Sequence, residues 1–555
     1  MIRGIWLALS ALPFVASAVV QDILQDQHPA KGSSWAGSTT AFTFPPANVT
    51  ATIPDPNFPD ATQIHAFGPT ATGDEAASIE TAPSIAKVDS IFPLIRPGSR
   101  KSSDFEVLRH LGSLTPMVSN DADTFGLPYA SPVIPDGCKL KQAYLLHRHG
   151  ARYPPNGTEP GGFASRLHAA ATGAGFSATG PLSFLNEWTY KLGAEILTPF
   201  GRKQLYDLGV GFRVSYGDLL KGFVDLPVFR TNSQERMVDS ALQFAAGFFG
   251  VQSYQTSYHQ QIDINTYGFN STLAPFQNCT NAFSKVAPDA RRRTTEWASI
   301  YTQPIIERLS KHIKGVNLTS DDVVAMQQAC AFETVALGYS SFCGLFTKKE
   351  WKEFEYHDAL LFWYVFGPGG PATAAQGVGW VQELLSRLTR TRITNFDSSI
   401  NSTLASSNIT FPLNQPIYVD ATHDVVISSI LVAMNFTSLA ASGPLPSTHI
   451  PENQSWKISQ IVPFATRLVG QVLSCHDSDE PTHIRFMLND AVLPMTGLKG
   501  CKANKHGLCA FDNFIAGMQA RVDEIDYQFD CFANYTIPEQ DMIIDGRFPQ
   551  HLRQA

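Results

Sequence analysis

From Phe105 onward, short apolar runs alternate with longer stretches whose apolar residues fall at helical spacing, the pattern of an α/β protein. Three places repeat one arrangement. Gln142–Leu146 reads as a short strand leading into His147-Arg148-His149-Gly150. Pro227–Phe229 reads as a second strand leading to Arg230-Thr231-Asn232. Behind it, Met237, Val238, Ala241, Leu242, Ala245, Phe248 and Phe249 predict a helix. Pro416–Val419 reads as a third, passing through Asp420-Ala421-Thr422 to His423-Asp424 and a helical run from Val425 to Met434. In open α/β sheets, ligands bind beyond the carboxyl ends of the strands. Helix starts at such places offer unpaired N–H groups and a positive dipole end to an anion. All three motifs sit where an anion would bind.

The first hundred residues break this pattern. Arg3, the apolar run Ile5–Val15 and the small residues Ala16-Ser17-Ala18 predict a secretory signal peptide over residues 1–18. The run is too short to span a bilayer, and no later segment approaches the ~20 apolar residues a spanning helix needs. The processed chain is expected to be secreted, with no membrane association. Residues 19–103 are rich in Pro, Ser, Thr, Gly and Ala with little periodicity, and read as a weakly ordered arm ahead of one domain over 104–555.

Composition narrows the partners. A formal charge of −8 argues against a nucleic-acid binder, which is expected to be basic, so any anionic substrate must meet a local cluster of positive charge. Export predicts oxidised cysteines, and there are eight: Cys138, Cys279, Cys330, Cys343, Cys475, Cys501, Cys509 and Cys531. Spacing suggests the local pairs Cys330–Cys343 and Cys501–Cys509 and leaves the others open; no C-x-x-C pair favours zinc. Glycosylation sequons stand at Asn48, Asn156, Asn270, Asn317, Asn401, Asn408, Asn435, Asn453 and Asn534.

The cationic cluster is Arg148-His149-Gly150-Ala151-Arg152-Tyr153-Pro154. Arginine suits phosphate because its planar fork donates two hydrogen bonds together. A lone Arg-His-Gly reads more simply as a charged surface loop, but this seven-residue run resembles the signature of the histidine acid phosphatases, specifically the fungal phytase branch. Leu197-Thr198-Pro199-Phe200-Gly201 with Gln204 resembles that family too. So do Phe229-Arg230-Thr231 followed by Arg236, Asp239-Ser240, Phe244 and Gly247-Phe248, and so do His423-Asp424, Gln376-Gly377-Val378-Gly379, Val462-Pro463-Phe464-Ala465 and Leu488-Asn489-Asp490. An isolated His-Asp pair is usually a turn and an isolated arginine a surface charge; their occurrence together in family order is what points to a site.

The resemblance implies an α/β fold, a mixed sheet flanked by helices, with mainly helical insertions over roughly 155–200 and 250–400. It implies the pairs Cys138–Cys475, Cys279–Cys531, Cys330–Cys343 and Cys501–Cys509. It implies His149 as the nucleophile that forms a phosphohistidine, Asp424 as the proton donor, and Arg148, Arg152, Arg230 and His423 as the phosphate-binding set, with no cofactor or metal. A nucleophilic histidine must be neutral, and nearby arginines lower its pKa; Asp424 must carry its proton. Both demands predict an acidic optimum.

Three rival readings remain. His147, His149 and His423 could serve a metal-dependent hydrolase, although Arg148 and Arg152 would repel a divalent cation. A phosphate-transferring mutase shares the Arg-His-Gly start, but export argues against cytosolic metabolites. A degenerate secreted binding protein would have lost a catalytic residue, and all are present. The expected substrates are small phosphomonoesters, phytate among them, without a specialist's preference. Where phytases show G-K-x-x-F-L-K, this chain has Gly180-Pro181 and Asn186, and Leu361 and Phe362 stand where they show a Lys-Lys pair.

Overall fold

The computed structural model describes residues 106–553 apart from 156, 477 and 539–541, together with the two-residue strand Thr43–Phe44. The expected signal peptide, the rest of the arm, and the sequons at Asn48 and Asn156 lie outside the described residues.

The sheet is built on β1 (Cys138–Arg148), with β2 (Val228–Asn232), β3 (His259–Asp263), β4 (Ile417–Thr422), β5 (Arg467–Cys475), β6 (His483–Leu488) and β7 (Ala491–Leu493). Its order is Thr43–Phe44, β3, β2, β4, β1, β5, β6, β7, and Cys509–Ala510 also pairs with β6. The pairs β3–β2, β2–β4 and β4–β1 are parallel; β1–β5, β5–β6 and β6–β7 are antiparallel. The mixed sheet is thus as expected.

β1 is central, which explains its unbroken apolar run: strands covered on both faces need no polar alternation. Tyr144 and Leu146 join the large core on one side. Ala143 and Leu145 join a smaller core with Leu205, Phe212, Phe229 and Phe244 on the other. That second side is covered by α2 (Pro199–Tyr216) and α3 (Glu235–Phe249), and α1 (Gly161–Thr172) precedes them. The helical insertion comes between β3 and β4 and contains α4 (Ala287–Tyr301), α5 (Ser320–Leu337), α6 (Lys348–Val365) and α7 (Thr373–Thr389); α8 (Asp424–Ala433) follows β4 directly. Helices α5 and α6 start at capping boxes, Thr319 with Asp322 and Thr347 with Glu350.

All eight cysteines are paired as the resemblance implied: Cys138–Cys475, Cys279–Cys531, Cys330–Cys343 and Cys501–Cys509. The first ties β1 to β5. Among the described sequons, Asn270, Asn317, Asn408, Asn453 and Asn534 are exposed, while Asn401 and Asn435 are half-buried. Asn435 also donates its amide to Gly497 O at 2.8 Å, the same nitrogen a glycan would take. No helix among the described residues is long and apolar enough to cross a membrane.

Candidate active site

His149 follows β1 at its carboxyl end, and the loop Arg148–Pro154 is gripped from one side by the segment leading into α2. Thr198 N donates to Ala151 O at 2.9 Å, Gln204 Oε1 accepts from Ala151 N at 2.9 Å, and Arg152 forms an antiparallel bridge with Leu197. Two glycines make the approach possible. A Cβ on Gly150 would lie 2.2 Å from Gly201 O, and one on Gly201 would lie 1.9 Å from Ala151 O. The Leu197–Gly201 motif is therefore the clamp that fixes the histidine loop.

Within the loop, His149 Nδ1 lies 2.8 Å from Gly150 O. A carbonyl only accepts, so Nδ1 carries the proton and Nε2 presents its lone pair. Burial drives the pKa of His149 well below the ordinary histidine value, and Arg148, Arg236, Arg152 and His423 add to the shift. Burial, which no motif in the sequence announces, is thus a larger cause than the arginines.

Arg148 is fully buried. Its Nη1 donates to Ser113 O at 2.5 Å and to Val462 O at 2.7 Å, its Nη2 ion-pairs with Asp424 Oδ2 at 2.5 Å, and its guanidinium lies 4.5 Å from the Phe464 ring centroid. Its Nε, also buried, has no protein acceptor among the described residues. A buried donor in that state is suited to an incoming anion. Arg152 donates to Tyr153 O at 2.9 Å.

β4 and α8 bring the distal pair. His423 is the residue before α8, and its ring centroid is 5.8 Å from that of His149. Asn232 orients it: Asn232 Oδ1 accepts from Gln234 N at 3.1 Å, so its Nδ2 is the donor facing His423 Nε2 at 3.0 Å. Asp424 opens α8, its Oδ1 accepting from Val425 N at 2.8 Å. His149, Arg148, Arg152, His423 and Asp424 thus converge.

Arg230 does not, and the assignment drawn from the resemblance is corrected here. The second strand runs on to Asn232 instead of stopping at Phe229, so Arg230 lies inside the sheet opposite Asp420 of β4. Its Nε donates to Asp420 Oδ1 at 2.7 Å, and its Nη2 donates to Glu383 at 2.8 Å and to Asp420 Oδ2 at 2.9 Å. Arg387 and Trp380 also donate to Asp420, each at 2.8 Å. Burial pushes Asp420 upward, but Arg230 and Arg387 more than offset this and hold its carboxyl well below the usual range.

The third arginine that acts on His149, beside Arg148 and Arg152, is Arg236, in the first turn of α3. It is buried, acts on His149 electrostatically, and donates to Glu195 Oε2 at 2.8 Å. The signal was present in the sequence, because the helix start behind the second strand, where an anion would dock, falls at Arg236.

The rival metal site fails on geometry. The His147 ring stacks on Phe244 at 5.3 Å, its Nδ1 lies 3.1 Å from Arg148 O, and burial lowers its pKa to about 4. Among the described residues, no three His, Cys, Asp or Glu side chains are grouped to hold a metal ion.

A sequence model of the histidine phosphatase superfamily (branch 2) matches residues 139–489. Phytase A of Aspergillus oryzae is 33% identical over 436 residues, which cover 75% of this chain and 89% of that protein. Phytase A of Aspergillus fumigatus is 33% identical over 406 residues, covering 70% and 84%. Among solved structures, the phytase from D. castellii aligns with a TM-score of 0.62 at 25% identity, covering 78% of this chain and 89% of that one. The multiple inositol polyphosphate phosphatase of Bifidobacterium longum, in complex with inositol hexasulfate, aligns at 0.51 with 12% identity, a likeness of fold alone. With a buried neutral histidine set among arginines and a match spanning most of the folded chain, the protein belongs to the histidine phosphatase superfamily, branch 2, as a phosphoric monoester hydrolase.

Proposed function

We propose that the chain is a secreted acid phosphatase that hydrolyses phosphomonoesters through a phosphohistidine on His149. The observation that carries this reading is the fixed tautomer: Gly150 O holds the proton on Nδ1, so Nε2 is free to attack. His149 Nε2 would bond to phosphorus as the bond to the leaving oxygen breaks, with Asp424 giving that oxygen its proton. Water, activated by Asp424, would then displace the imidazole and release phosphate. Arg148, Arg152, Arg236 and His423 would hold the phosphoryl oxygens and stabilise the charge of the transition state. The paired cysteines and the signal-peptide reading support export, and residues 104–555 would form the catalytic unit.

The proton-donor role has its own test. Asp424→Asn is expected to lower kcat on alkyl phosphates by about 10²–10⁴-fold, and p-nitrophenyl phosphate much less, because its leaving group needs little protonation. Equal losses on both substrates would assign Asp424 to positioning alone.

We also propose breadth of substrate. Leu361 and Phe362 are 2% and 0% exposed, part of the apolar core, so no cation reaches the substrate from there. Asn186 is occupied with Ala178 and Ser183. A groove of about 740 Å³ opens at Pro155, three residues beyond Arg152, between α1 and the 185–194 segment. Its lining includes Trp188, Tyr190 and Leu192, and no Lys or Arg. A hexakisphosphate would find few counter-charges there, and each absent surface pair forfeits up to ~1 kcal/mol. Expected kcat/KM values for phytate and a simple monophosphate lie within about tenfold of each other. A wild type strongly selective for phytate would refute the proposal.

A further inference from the structure

Asp358, on α6, belongs to none of the motifs in the sequence, yet it stands behind the Arg148–Asp424 pair. Ser113 N donates to Asp358 Oδ2 at 2.5 Å, and the carbonyl of the same residue accepts from Arg148 Nη1 at 2.5 Å. Arg148 Nη2 in turn meets Asp424 Oδ2 at 2.5 Å. A continuous path therefore runs from one carboxyl through the backbone N–H and C=O of Ser113 and a guanidinium to the other. The turn is moulded around Asp358: Gly112 adopts φ +59°, and a Cβ there would lie 2.3 Å from Asp358 Oδ2.

We propose that Asp358 is a positioning residue of this site whose negative charge, when ionised, offsets Arg148 and loosens its hold on phosphate. The inference rests on the phosphatase reading above. Among the described residues, the charged groups that act on Asp358 are Asp424 at the start of α8 and Arg148 at the end of β1, and Ser113 of the 112–114 turn bonds to it. On its own helix, Glu355 is taken by His110 and Ser459, and burial lowers His357 to about 4, leaving it neutral across the working range.

Asp358 is buried, and burial pushes its pKa up to about 6, with Asp424 adding to the rise and the Ser113 hydrogen bonds and Arg148 opposing it. The residue is therefore mostly neutral in acid and mostly ionised at neutral pH. Neutral Asp358 leaves Arg148 at full strength for phosphate. Ionised Asp358 offsets the charge of Arg148 and repels the bound anion.

The test is the binding of inorganic phosphate, by calorimetry, to the full-length wild type and to Asp358→Asn at pH 4.5 and pH 7. Asparagine can still accept from Ser113 N but carries no charge. At pH 4.5 the two proteins should bind alike. At pH 7 the variant should bind about three- to tenfold tighter, the effect of roughly half to one unit of pH-scale coupling. The kcat/KM of the variant should fall less than that of the wild type between pH 4.5 and pH 7, since Arg148 keeps its hold on phosphate. Where Asp358→Asn melts early, Asp358→Ser supplies the same neutral site and must give the same pH signature. A ratio of affinities equal at both pH values, with superimposed profiles, would overturn the inference and leave Asp358 a purely structural contact. No phosphate binding by either protein at either pH would overturn the phosphatase reading with it.

Discussion

His149→Ala is expected to lose at least about 10⁴-fold in kcat while the fold survives. The residue is 1% exposed, and its side chain's hydrogen bond goes to the neighbouring Gly150 carbonyl, so truncation leaves a small cavity and severs no link between elements. What it removes is the group proposed to bond to phosphorus. In the wild type, rapid quenching with labelled substrate should trap a phosphoenzyme that survives alkali and is lost in acid; the variant should trap none. A trapped phosphate that survives acid would point to a hydroxyl nucleophile and remove His149 from the role. The acid side of the pH profile carries the same information. Attack needs neutral imidazole, and burial, together with Arg148, Arg236 and Arg152, depresses its pKa well below 6.5. Activity should hold as pH falls through the ordinary histidine range and fail only below it. An acid limb of kcat/KM near 6.5 would contradict the buried, arginine-surrounded environment.

Much of this site was legible because its residues lie in local runs whose chemistry and order are both informative. Arg148, His149 and Arg152 occupy one loop, and His423-Asp424 opens a helix whose apolar run, Val425–Met434, marks its start within a residue. The helix behind the second strand was legible for the same reason. Its strand was not: Pro227–Phe229 is apolar, but the pairing continues through Arg230, Thr231 and Asn232, polar residues that a strand buries only when partners wait on its neighbours. Those partners, Asp420 and Glu383, lie 190 and 153 residues away from Arg230, and no spacing in the sequence announces them. Asp358 was hidden the same way. Its neighbours Ser113 and Arg148 come from distant segments, and on its own helix it reads as one more polar position. Sequence periodicity reports which face of an element is covered; it does not report which buried charge is answered by which.

Arg230 and Arg236 provide the sharpest discrimination, since the two arginines are six positions apart and are assigned opposite duties. Arg230→Ala is expected to be a stability variant. It removes the cation that bonds both Asp420 and Glu383, all three nearly fully buried, and leaves two carboxylates with reduced compensation in the sheet. Breaking a buried pair in this way costs about 3–5 kcal/mol, a fall in Tm of about 3–5 °C for a domain of this size. The sign with pH follows from Asp420, whose folded pKa is depressed by Arg230 and Arg387. The wild-type stabilisation is present above the unfolded carboxylate value and is lost as pH falls through the folded one, so the gap between wild type and variant should narrow in strong acid. Arg236→Ala is expected to behave in reverse. Its kcat/KM should fall by about 10²–10³-fold, the scale for removing one donor from a developing charge, and inorganic phosphate should bind more weakly. Its Tm should move less than that of Arg230→Ala, because Glu195, its ion-pair partner, is about one-third exposed and can be rehydrated. Arg236→Lys, which keeps the charge without the planar fork, should recover part of the affinity. An Arg230→Ala enzyme that melts like the wild type but has lost phosphate binding, beside an active Arg236→Ala enzyme, would restore Arg230 to the phosphate and return Arg236 to a structural role.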